Sequence, residues 1–190
     1  MRALLAVSRL IDAVNQTVGK LVGWLILADA LISSGNATIR YALDRSSNAW
    51  LEAQWYLFSA VFLLCAGYTL LRNEHIRIDI LTGRCSPRVK AWIDILGGLF
   101  FLLPTTVLIM VLSWPMFMDS YVRHEVSSNA GGLLRWPVKL IIPVAFFLLA
   151  AQAVSELIKR AAFLTGHAPA PVTRSAHAPL ESIEAEEHAL

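Results

Sequence analysis

Charge and sulfur are both scarce in this sequence. Only 16% of its 190 residues are Asp, Glu, Lys or Arg, against about a quarter in an ordinary soluble domain. The two cysteines, Cys65 and Cys85, have no CxxC-type spacing, so neither a metal knuckle nor a disulfide framework is indicated. No run of Lys/Arg supports nucleic-acid binding, and the net charge of +2 is spread along the chain. The five histidines (His75, His124, His167, His177 and His188) all fall in loops or the tail, which removes the ligands that a haem between spans needs. A quinone or haem protein is therefore excluded on placement, and no repeated polar ring argues for a channel. What remains is apolar: 56% hydrophobic residues and a mean hydropathy of +0.57. The chain has room for a few spans and short loops. It has none for a soluble catalytic domain, and no cofactor is expected.

The clearest span lies within Asn48–Ile80. From Ala53 to Leu71 there are nineteen residues without a charge, close to the roughly 20 that cross a bilayer as a helix. Trp55 and Tyr56 stand at one end and a basic segment from Arg72 at the other, as the two membrane interfaces favour. The fold class expected is an all-α membrane protein with four transmembrane helices, at about 18–41, 49–71, 92–118 and 136–160. Before them, Leu4, Val7, Leu10, Ile11, Val14 and Val18 recur at helical steps around Arg2, Arg9 and Asp12. Residues 1–17 are expected to be an amphipathic interfacial helix, retained because the apolar run is too short for a signal peptide. Pro104 is expected to kink the third span and Ser113-Trp114-Pro115 to mark its interfacial end. A second proline, Pro143, lies near the start of the fourth span. The tail, 163–190, is rich in Ala, Pro, His and Glu without hydrophobic period and is expected to be disordered and cytoplasmic.

Orientation follows from the basic residues. The amino-terminal segment, the 72–90 loop and the carboxyl-terminal segment carry eleven Lys/Arg, and the alternate side carries five. The positive-inside rule then puts both termini in the cytoplasm. One pattern interrupts the first span. Asp29, Ser33, Asn36 and Arg40 are spaced four, three and four apart, so they share one helix face that should meet protein or water, not lipid.

Several ordered pieces resemble the small membrane subunit of tripartite ATP-independent periplasmic (TRAP) transporters. They are Asn48-Ala49-Trp50-Leu51-Glu52 with Gln54-Trp55-Tyr56-Leu57-Phe58, then Glu74-His75-Ile76-Arg77-Ile78-Asp79, Ser86-Pro87-Arg88 and Ala91-Trp92-Ile93-Asp94. Phe101-Leu102-Leu103-Pro104, Ser113-Trp114-Pro115, Asn129-Ala130-Gly131-Gly132-Leu133 and Arg135-Trp136-Pro137 continue the series. The likeness extends over about residues 18–160, and its specificity lies in the order of the pieces. It implies a bacterial inner-membrane protein that acts with a large permease subunit and a periplasmic solute-binding protein. The large subunit would carry the solute and ion sites and move as an elevator. Uptake of an organic acid or related solute would be driven by an ion gradient, usually sodium.

Candidate contact residues follow. Asp29 is either a coupling carboxylate or a structural one bonded to Ser33 or to a partner chain. The first reading makes the chain a self-sufficient four-helix antiporter; the resemblance favours the second. With Asp29, the residues Ser33, Asn36 and Arg40 form the buried-stripe candidate. Glu52, at the outer end of the second span, is a candidate contact to the large subunit or the binding protein, and Trp55 lies beside it. His75, Arg77 and Asp79 are expected to anchor a cytoplasmic loop to lipid headgroups or the partner. Reversing the charge of Arg72, Arg77, Arg84 and Arg88 together should alter labelling of Cys85 by an impermeant thiol reagent in intact cells. Unchanged labelling would count against the orientation.

Overall fold

A bilayer offers no water to unpaired backbone amides, so an apolar segment that crosses it must satisfy them within itself, as a helix does. The computed structural model describes residues 1–44, 47–73, 86–167 and 169. Its helices are α1 (Arg2–Leu43), α2 (Asn48–Leu71), α3 (Pro87–Gly97), α4 (Leu103–Val122) and α5 (Trp136–Leu164). A π-helical turn, Gly98–Leu102, joins α3 to α4 without a break. Four stretches among the described residues are long and apolar enough to cross a membrane: Arg2–Leu43, Asn48–Leu71, Pro87–Val122 and Trp136–Leu164. The segment 74–85, with His75, Arg77 and Asp79, and the tail from residue 170 lie outside the described residues.

Local chemistry accounts for the helix ends. Ser86 Oγ accepts the backbone N–H of Val89 at 3.4 Å and Pro87 opens α3, the cap and first-turn residues that a helix start favours. Asp44 closes α1 in the left-handed region at φ 50°. At Pro104, where a kink is expected, the backbone departs from α-helical hydrogen bonding in the turn before it. A proline ring crowds the carbonyl four residues back, and just before Pro104 the Leu103 N–H reaches to Gly98 O, five residues away. The widened turn accommodates the ring. Helix α4 continues past Ser113-Trp114-Pro115 to Val122. At the other end of the chain α5 runs on to Leu164.

No break separates residues 1–17 from the first span. The single α1 helix would be about 63 Å long at 1.5 Å per residue, roughly twice the hydrocarbon thickness. Its amino-terminal part lies along α5, with Ser8 beside Ser155 and Asn15 beside the Leu148 carbonyl. Of the apolar face of residues 1–18, Leu4, Val7, Leu10 and Val14 are exposed and Ile11 and Val18 are half-buried. Ser8 and Asn15, on the polar face, are buried in the protein.

Helix α5 is the centre, packing against α1, α2, α3 and α4. Helices α1 and α2 pair antiparallel on one side of it and α4 covers another. The polarity is inverted relative to a soluble domain. Buried positions are small or polar, among them Ala60, Ala145, Ala153, Ser120, Thr106 and Gln152, whereas Trp24 is 71% and Phe62 72% exposed. Lipid is as apolar as leucine, so close approach and hydrogen bonds hold such helices together. Two glycines permit the approach of α1 and α2. A Cβ at Gly67 would lie 2.2 Å from Asn15 Oδ1, and one at Gly19 2.4 Å from the Tyr68 ring. Gly67→Val should therefore destabilise the detergent-solubilised protein by about 1–3 kcal/mol, the usual range for overpacking, while Trp24→Ala leaves thermal unfolding unchanged. An unaltered transition in the glycine variant would contradict this packing.

Candidate functional site

Two polar anchors stand at opposite ends of the bundle. At the end formed by the 123–135 connection, Glu52 on α2 is only 4% exposed. Its Oε1 accepts from Ser127 Oγ and from Asn129 Nδ2 at 2.8 Å, and its Oε2 accepts from the Leu133 N–H at 2.7 Å. Asn48 Nδ2 donates to Ala130 O at 3.1 Å. The loop is also closed on itself by the Val126–Leu134 bridge and by Gly131 at φ 71°, a conformation that suits glycine. Glu52 is thus the peg on which this loop is wound. Its carboxylate is occupied within the chain, so the direct partner contact considered for it would require the loop to open.

Glu125 ties the same loop to the start of α5, pairing with Lys139 and, at 3.5 Å, with Arg135. The Lys139 ammonium holds the Glu125 carboxyl below the ordinary carboxylate range. A depressed folded-state value means the tie is fully present above the usual carboxylate pKa and is lost as pH falls through the lower, folded-state value. Tyr121 and Trp136 meet edge to face at 5.5 Å, joining the last turn of α4 to the first of α5.

At the end bearing both helix termini, a continuous network crosses three helices. Asp12 on α1 accepts from Ser155 Oγ at 2.7 Å, Gln152 Nε2 at 2.9 Å and Lys159 Nζ at 3.1 Å. Asn15 Nδ2 donates to Gln152 Oε1 at 3.0 Å, and the Ser8 and Ser155 hydroxyls are 2.7 Å apart. Arg160 bridges Glu156 at 2.6 Å to Asp94 on α3 at 2.8 Å. Gln152 is fully buried. Removing one member of such a network leaves the others unpaired and costs more than the bond itself.

The sequence candidates fare differently. Asp29 and Asn36 are half-buried, and Ser33 and Arg40 are exposed. Asp29 Oδ1 is shielded from solvent yet has no hydrogen-bond partner, so the bond to Ser33 considered for it is not made by that oxygen. Trp55 is exposed beside the Glu52 anchor. Ser8, Asp12, Asn15, Gln152, Ser155, Glu156 and Asp94 were not singled out. Their signal was present as the i, i+4, i+7 spacing of Ser8, Asp12 and Asn15, which an amphipathic surface helix also displays.

Nothing in these clusters is arranged for a ligand. Among the described residues no group of three His, Cys, Asp or Glu stands together as a metal site. An apolar groove of about 540 Å³ lies between α4 and α5 at Trp114, Pro115, Pro143 and Phe147. Its surface is almost wholly apolar, whereas solute pockets place a few polar groups to orient the ligand.

Comparison at the family level matches residues 29–163 to the tripartite ATP-independent periplasmic transporters, DctQ component. The chain belongs to this family, the small permease subunits of TRAP transporters. No curated protein and no solved structure matches it. The matched span includes the Glu52 anchor and nearly all of α2 through α5, and it begins at Asp29. In this DctQ chain the α1 half of the lower network (Ser8, Asp12 and Asn15) precedes the matched span. The protein is a multi-pass transporter component with four membrane-crossing helices.

Glu52→Leu should release the loop, raising amide exchange of Val126 to Arg135 about tenfold or more, since charged hydrogen bonds contribute about 1.5–3 kcal/mol. Asp119→Asn breaks only an exposed pair with Arg123 and should leave exchange unchanged. Equal exchange in wild type and Glu52→Leu would remove Glu52 as the anchor.

Proposed function

We propose that this chain is the non-catalytic small permease subunit that supports a large, elevator-type subunit in a TRAP-type secondary transporter. The complex takes up an organic acid or related solute, delivered by a periplasmic binding protein, at the expense of an ion gradient. The observation that carries the reading is how the polar groups are used. Glu52, Asp12, Glu156, Asp94 and Gln152 are engaged in bonds within the chain, and the described groove is apolar. A protein so built positions itself and its neighbour, and reads no solute. Its broad exposed apolar surface suits a lipid bilayer on some faces and a large membrane partner on others.

The inner membrane, with both termini cytoplasmic, is the proposed setting. The eleven-to-five division of Lys/Arg supports it, as does the antiparallel run of α1 on α5, which brings both helix termini to one end. One observation favours a second reading, a self-sufficient antiporter: the shielded, unbonded oxygen of Asp29 is what a coupling carboxylate offers. Reconstitution separates the two. The purified chain in liposomes should show no ion-gradient-driven transport, and co-expression with a large TRAP permease subunit should yield a stable complex. Autonomous antiport abolished by Asp29→Asn would establish the second reading and end the first.

A further inference from the structure

The lower end of α1 shows what its seam requires. Ser8, Asp12 and Asn15 stand at i, i+4 and i+7, and all three are bonded to α5. The same spacing returns three heptads later as Asp29, Ser33 and Asn36, with Arg40 one step further. Ser8, Asn15 and Val22, at seven-residue intervals, are buried. The next two positions of that series are Asp29 and Asn36, and they are half-buried. A seven-residue repeat keeps one face against a neighbouring helix along its length, so the two polar sets belong to one seam.

The upper set is bare because α5 ends. Ser8 lies beside Ser155 and Asn15 beside Leu148. Carried on at equal rise, that register brings Trp136, the first residue of α5, level with about residue 27 of α1. Beyond it α1 keeps α2 on one flank and loses its second neighbour. Ser33 and Arg40, on the open flank, are exposed. Two polar atoms are left shielded and unpaired in this region: Asp29 Oδ1 and, on the adjoining α2, Gln54 Nε2. The antiparallel contacts of Asn15 with Gly67 and Gly19 with Tyr68 put Gln54 within about one turn of Asp29. One is an acceptor and the other a donor, and they are not bonded to each other. Such groups in an apolar layer are normally paired.

We infer that the Asp29–Asn36 half of the α1 seam is covered by a transmembrane helix of the large permease subunit, which takes up the place that α5 vacates. This rests on the reading of the chain as a TRAP small subunit. The occupant is defined by complementarity. It presents a polar group to the exposed Ser33 hydroxyl, and rotation of the Asp29 and Gln54 side chains, whose Oδ1 and Nε2 are shielded within this chain, would bring a donor to the first and an acceptor to the second. About 16 Å further along, at 1.5 Å per residue, it presents an acceptor or carboxylate to Arg40. It repeats for the upper half what Gln152, Ser155 and Lys159 do for the lower.

The test uses the full chain co-expressed with the large subunit. A photocrosslinking residue at Ser33 or Asn36 should join the chain to the large subunit, whereas one at Trp24 or Leu31, on the opposite face, should label chiefly lipid. Asp29→Leu and Asn36→Leu should each lower co-recovery of the large subunit roughly three- to tenfold, the range of interhelical hydrogen bonds in membranes. Thermal unfolding of the small subunit alone should not change, which separates lost contact from misfolding. An intact complex whose Ser33 and Asn36 probes label lipid, or a second copy of this chain, overturns the inference and leaves the subunit reading standing. Failure of the wild-type chain to recover any large subunit overturns both.

Discussion

The hydrogen bonds that converge on Gln152 and Asp12 hold the rest of the structure in place. In a bilayer the transfer of apolar surface away from solvent does not draw one span to another, because the lipid is already apolar. What fixes α1 on α5 is therefore the set of polar groups between them: Asp12 against Gln152, Ser155 and Lys159, and Asn15 against Gln152. From this seam follows the position of α2, whose Gly67 must pass Asn15 without a side chain. The position of α3 follows too, tied through Arg160 to Asp94.

With the interior polar and small, the exterior is left to the large residues. Trp24, Leu31, Phe62, Phe100 and Phe101 all point outward. The anchors at the two ends of the bundle divide the work. Glu52 fixes the 123–135 loop to α2, and the Asp12 network fixes the terminal segments of α1 and α5 to each other. Between them the helices offer a stiff apolar surface and no solute site among the described residues. That division suits the supporting role proposed for this subunit.

Much of the fold was legible in the chain because each span announces itself locally. Nineteen uncharged residues before Arg72 and the Trp136-Pro137 pair at the head of the fourth span are facts about neighbours in sequence. The DctQ membership was legible for a related reason, since helix ends and turns such as Asn129-Ala130-Gly131-Gly132 keep their order along the chain. The Asp29 stripe was visible as a spacing. The Ser8, Asp12 and Asn15 set has the same spacing, yet with Leu4, Val7 and Leu10 between its members it reads equally well as the wet face of an interfacial helix. Spacing identifies a face without saying what covers it.

The sequence by itself determined the number of spans and the polar stripe, because hydropathy and helical period depend only on residues near one another in the chain. Tertiary structure alone decided which polar faces are satisfied. Glu52 looked like an inexpensive carboxylate at an interface until the loop seventy-five to eighty-one residues away closed over it. Asp12 looked like a surface charge until a helix some 140 residues later supplied its partners. Asp29 differs from Asp12 because α5 reaches one level of α1 and not the other. A hydrogen bond needs two groups within about 3 Å of each other, and a sequence specifies one partner at a time; only the packing of α5 brought the pairs together.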